Sequence, residues 1–179
     1  KGSEILAIGD SDSVKIPWRA QVIDGKGAYL MPGLADMHVH TQPDWDDRRV
    51  WPVNPLNLYL AKGVTTVRDM SPVGPDLTYV LHWRVEIRAG SRIGPTLYTS
   101  GVRIDGSPLV GDLPAELVRW NHEKGFDFLK IYSYLSVKDF QAAMRVAKKL
   151  GMYTAGHIPH TVGLDGVLAE GMDEIAHVE

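Results

Sequence analysis

His38 and His40 stand two residues apart in Pro32-Gly33-Leu34-Ala35-Asp36-Met37-His38-Val39-His40, at the end of a short apolar run. Side chains alternate between the faces of a strand, so both imidazoles project from one face at the strand's C-terminal end. Two adjacent imidazoles can share a divalent cation. Taken alone, such a pair is more often incidental than a metal site. The chain has no Cys, so any metal must be held by nitrogen and oxygen donors.

Three more residues change that balance. Lys130 lies inside the apolar run Phe126-Asp127-Phe128-Leu129-Lys130-Ile131-Tyr132, where an ammonium meets a desolvation cost. If Phe128, Lys130 and Tyr132 face inward, the lysine must find a carboxylate, snorkel or lose its charge. A neutral amine can add carbon dioxide, and the resulting carbamate offers two anionic oxygens able to bridge two cations. The alternative is a lysine paired with an acid at the mouth of the site. His157 closes Tyr153-Thr154-Ala155-Gly156-His157, and His177 closes Glu174-Ile175-Ala176-His177. Each singly reads as a hydrogen-bonded core histidine. Four histidines and a lysine at the ends of four strands form a pattern that chance does not readily supply.

Around these, Tyr132 shares the inward face with Lys130 and is placed either to donate to a developing oxyanion or to pack with its hydroxyl in water. His160, in the loop after the fifth strand, is a substrate contact or a solvated loop residue. Asp69, closing Thr65-Thr66-Val67-Arg68-Asp69, either orients a ligand histidine from behind or caps a helix, with Arg68 turned toward the helical layer. The loop from Pro43 to Trp51, with two Trp and several charges, borders the site or is ordinary surface. His82 and His122 fall in helical segments and read as surface or packing residues.

The elements that carry these groups recur regularly. Short apolar runs at 34–39, 64–67, 96–99, 126–132, 152–155 and 174–178 read as strands. Helical spacing fills the gaps, most clearly over 136–150. There Phe140, Ala143, Met144, Val146, Ala147 and Leu150 form one stripe, Ser136 and Asp139 a capping box, and Gly151 a left-handed stop. Strand and helix alternating at this period predict an α/β fold with a parallel sheet. A closed (β/α)8 TIM barrel takes roughly 250 residues, so residues 31–179 are expected to form an incomplete barrel of about six βα units. Residues 1–30, with β-like runs at 4–8, 14–16 and 21–23 broken at Gly9-Asp10, Pro17 and Asp24-Gly25, predict part of a small β-sandwich appendage.

Net charge is −3 and like charges never run beyond two, which argues against nucleic acid or an anionic membrane surface as partner. No stretch reaches the roughly 18 to 20 apolar residues that cross a bilayer. The chain opens at Lys1. Both a cytoplasmic protein and one exported after signal removal fit this composition.

Together, Pro-Gly-Leu-x-Asp-x-His-x-His at 32–40, Phe128-Leu129-Lys130-Ile131-Tyr132, Ala155-Gly156-His157-Ile158-Pro159 and Glu174-Ile175-Ala176-His177-Val178-Glu179 resemble the metal-ligand strands of the amidohydrolase superfamily, most nearly its imidazolonepropionase and prolidase-like branch. The lead-in from Asp24 to Met31 matches that branch as well. The resemblance implies that His38 and His40 hold one metal, that His157 and His177 hold the other, and that carboxylated Lys130 bridges them. Zinc suits these donors best, and manganese, iron, cobalt or nickel fit the same types. It further implies hydrolysis of carbon–nitrogen bonds by a hydroxide activated by two metals. The expected substrate is a small-molecule amide, either a dipeptide of the prolidase kind or a cyclic amide. The alternatives are a lactone- or phosphoester-cleaving relative, or a non-catalytic metal-binding fragment. The last follows because the family's eighth-strand Asp has no counterpart before Glu179 and its appendage draws on both termini, so the chain is expected to be truncated at both ends. Six parallel strands would leave two open edges, which predicts a homo-oligomer.

Overall fold

The computed structural model describes residues 4–106 and 113–177, which fall into two units, Lys1–Pro32 and Gly33–Glu179. In the first, hydrogen-bonded turns form at Asp10, Pro17 and Gly25, at or beside the predicted breakers. The β-like runs between them form no strand within the described residues. Ile5, Ile8, Val22 and Ile23 remain exposed. Runs of three to five residues gain little as strands without a partner sheet to cover their apolar face.

The second unit alternates strand and helix as the period predicts: β1 (Leu34–Val39), α1 (Pro55–Ala61), β2 (Val64–Asp69), α2 (Tyr79–Ala89), β3 (Thr96–Thr99), α3 (Leu113–Lys124), β4 (Phe128–Ile131), α4 (Val137–Leu150), β5 (Tyr153–Gly156), α5 (Gly163–Ala169) and β6 (Glu174–Ile175). All strand pairs are parallel. They form two three-stranded sheets, β1-β2-β3 and β4-β5-β6, rather than one continuous ladder. Between β3 and β4 only isolated parallel bridges form, Ser100 to Phe128 and Ile104 to Ile131. The chain between Ser100 and Ile104 bulges away from β4, so the ladder is interrupted there.

Two apolar clusters hold the helices against the strands. Leu56, Val67, Val80, Trp83, Leu97 and Phe126 belong to one. Ile104, Leu129, Ile131, Phe140, Met144 and Ala147 belong to the other. The second is the predicted stripe of α4, with Val146 and Leu150 half-buried at its margin. Ser136 caps α4, its Oγ accepting from the Asp139 amide at 3.1 Å, and Gly151 ends the helix at φ 66°. A third, smaller cluster of Met70, Phe128 and Ala155 occupies the opposite face of the strands. Two strands are shorter than predicted. β4 starts at Phe128 because Phe126 packs in the first cluster and the Asp127 carboxylate accepts from the Thr99 amide and from Arg84. β6 pairs on one side only and keeps two residues, with Val178 outside the described residues. Among the described residues no helix is long and apolar enough to cross a membrane.

Candidate metal centre

The ends of β1, β5 and β6 bring the four predicted histidines into one chain of rings. Ring centroids lie 5.2 Å apart for His38 and His40, 4.7 Å for His38 and His177, and 4.3 Å for His157 and His177. His40 Nδ1 lies 2.9 Å from the Ser71 carbonyl. A carbonyl only accepts, so Nδ1 carries the proton and the Nε2 lone pair is left for a ligand. Burial lowers the His38 pKa to about 4, helped by Lys130, His177, His40 and Arg68. His38 is therefore neutral at pH 7, the form that binds metals. Among the described residues no three His, Asp or Glu side chains converge on a single cation position.

β4 is buried at every position, and alternation divides it cleanly. Leu129 and Ile131 join the helix-side cluster, while Phe128 joins the opposite one, the face shared with Lys130 and Tyr132. Lys130 has no solvent exposure. Its register partner on β5 is Ala155, whose small side chain leaves room for the long one. Tyr132 sets its ring 4.5 Å from that of His157, with Lys130 Nζ 6.0 Å from the Tyr132 centroid. Lys130, Tyr132 and the four histidines thus share one face.

Arg68 and Asp69 exchange their predicted faces. Val67 is fully buried on the helix side, and alternation then sends Asp69 to that side and Arg68 to the interior. The Arg68 guanidinium forms a bidentate pair with Glu174 at 2.6 and 2.5 Å, donates from Nε to the Met37 carbonyl at 2.8 Å, and lies over Phe128. Tyr153 also donates to Glu174, at 3.1 Å. Asp69 makes no direct bond to a histidine. It accepts from the Thr41 hydroxyl and amide and from the Ser71 amide, and Thr41 Oγ lies 2.8 Å from Tyr79 Oη. Since the Ser71 carbonyl receives His40, Asp69 reaches the imidazole through the backbone of one residue. Burial raises the Asp69 pKa to about 7 against the lowering effect of these hydrogen bonds.

His160 is exposed and meets Tyr134 at 5.5 Å, apart from the chain of four rings. Trp45, in the loop after β1, is a core residue stacked on Trp83 at 6.3 Å and set against Trp51, so packing accounts for it. His82 and His122 are exposed on α2 and α3. Sequence reading passed over Glu174 as a partner of Arg68, and passed over Arg103, whose Cζ lies 5.1 Å from the Tyr132 ring centroid. The alternation in Val102-Arg103-Ile104-Asp105 was the available signal for the latter.

No family model matches the chain. Among solved structures, a protein described as a prolidase from Bifidobacterium longum aligns with 92% of the chain and 44% of its own length, at 26% identity and a TM-score of 0.74. Phenylurea hydrolase B aligns with 94% of the chain and 52% of its own length, at 21% identity and a TM-score of 0.67, a likeness of fold. A curated deacetylase of Brucella anthropi is 35% identical over 74 residues, 41% of this chain and 17% of that protein. The chain thus spans about half the length of these structures and a smaller part of the deacetylase.

Proposed function

We propose that this chain carries the metal-binding half of a hydrolase of carbon–nitrogen bonds, on six units of a (β/α)8 barrel, with small amides or dipeptides as substrates. The observation that carries the reading is the chain of four imidazoles beside buried Lys130. The donor set fits two divalent ions, zinc before manganese, iron, cobalt or nickel. His38 and His40 would hold one and His157 and His177 the other. With two imidazoles for each ion, further ligands would come from water and from another side chain. Lys130 would supply two oxygens once its neutral amine adds carbon dioxide and loses a proton, which would turn a buried cation into a two-oxygen anion. Two such ions, when bound, would supply a water-derived nucleophile at neutral pH and polarise the carbonyl under attack.

The remaining work belongs to the protein. Ser71 holds His40 in one tautomer, burial keeps His38 neutral, and Asp69 fixes the loop that presents Ser71. Tyr132, beside His157, donates to the carbonyl oxygen as charge develops on it. The likeness to a protein described as a prolidase supports C–N bonds over esters. The edge strands β1 and β6 further favour self-association, which sedimentation at several concentrations reads directly.

Metal analysis of the purified chain beside Lys130→Ala tests the reading. About two equivalents, falling to one or fewer in the variant, is the expected result; equal metal in both removes the bridging role. A panel of dipeptides, lactones and phosphotriesters assigns the bond.

A further inference from the structure

Ile104 is tied to β4 on both sides, its amide donating to the Lys130 carbonyl at 2.8 Å and its carbonyl accepting from the Tyr132 amide at 2.9 Å. It is fully buried in the same helix-side cluster as Leu129 and Ile131. Alternation therefore turns its neighbours Arg103 and Asp105 to the other side, the one occupied by Lys130 and Tyr132. The position of Arg103 agrees, since its guanidinium lies over the Tyr132 ring, which in turn lies against His157. One aromatic ring separates this cation from the imidazoles.

The other arginines anchored to the fold spend their guanidinium on protein acceptors. Arg68 is held by Glu174 and Met37, Arg84 by Asp127 and Gly125, and Arg92 by Asp46 and Glu86. Arg103 differs. Its one ion pair among the described residues is from Nε to Asp105 at 3.5 Å, and its side chain is 53% exposed. Neither Nη group has a hydrogen bond there, so a planar fork suited to a carboxylate is presented beside the site.

We propose that Arg103 is a specificity residue that receives a carboxylate on the substrate, with Tyr132 as the platform that holds its guanidinium in place. Resting on the hydrolase reading above, this narrows the substrate class to amides that also carry an acidic group. Asp105 competes for the same guanidinium. It lowers affinity for the acid.

The test pairs an acid with its amide. Calorimetry measures N-acetyl-L-proline and N-acetyl-L-prolinamide binding to the full chain loaded with zinc, and turnover compares L-alanyl-L-proline with L-alanyl-L-prolinamide. The wild type is expected to prefer each acid. Arg103→Met should weaken acid binding and raise the acid's KM roughly 10- to 100-fold, the loss of a charge-assisted pair, while leaving the amides and kcat nearly unchanged. Arg103→Lys should recover part of the loss, and Asp105→Asn should tighten acid binding, a direction that damage to the fold does not produce. Equal losses for acid and amide, no preference in the wild type, or no binding of N-acetyl-L-proline overturns the assignment. Binding with acid preference but no turnover leaves Arg103 supported and removes hydrolase activity from this chain alone; turnover without acid preference does the reverse.

Discussion

Truncation of Glu174 isolates a charge. Arg68 is 8% exposed, and its guanidinium gives two of its three contacts to the Glu174 carboxylate. Losing one partner of a buried ion pair costs about 3–5 kcal/mol, because the other charge stays desolvated. The Glu174 side chain is 29% exposed, so water enters once it is cut back, and about 2–3 kcal/mol remains after that discount. For a chain of this size each kcal/mol moves the melting temperature by about 2–4 °C. Glu174→Ala should then melt lower by about 4–12 °C, read by circular dichroism at pH 7. Arg68→Met with Glu174→Leu should recover most of the loss, since both charges leave together. The hydrogen bond from Arg68 holds the Glu174 carboxyl below its ordinary value of 4.5. A depressed carboxylate stabilises fully above that value and loses its contribution as pH falls through the lower folded one. The gap between wild type and Glu174→Gln should accordingly shrink below pH 4.5. A shift under about 1 °C at pH 7, or a gap that does not change with acid, would refute the argument.

Asp69 titrates in the opposite sense. Burial raises its pKa from 3.8 to about 7, so its contribution is greatest below 3.8 and is lost as pH rises through about 7. Asp69→Asn should gain on the wild type between those limits, and paired melts at pH 5 and pH 8 measure it. Gly156→Ala places a Cβ 2.0 Å from the Ile131 carbonyl at a φ of +150°. The variant should lose on the order of 2 kcal/mol or more by urea unfolding, and displacement of the adjacent His157 should lower its metal content. Ser136→Ala removes the cap of α4 and should cost about 1 kcal/mol in the same unfolding assay.

The sequence carried the strand–helix period and the imidazole positions because both follow from local chemistry. Leu34–Val39 and Thr96–Thr99 form as predicted, and His38, His40, His157 and His177 come together as their strand ends require. Arg68 and Asp69 were misplaced because a one-residue error in phase inverts every side chain of a strand. The acid drew the functional reading, although Val67, fully buried in the helix-side cluster, sets the phase. Glu174 was invisible as a partner for Arg68 because they lie on β2 and β6, and no local pattern joins them.

The row of imidazoles joins β1 to β6, the first and last strands of the unit. His38 leaves the ribosome long before His177, and the intervening units must each dock before the two rings can touch. Contacts this remote along a polymer form late and slowly. Cation capture should therefore lag behind helix formation during refolding, so that a chelating dye competing for zinc would time the final closure of the chain rather than its early collapse.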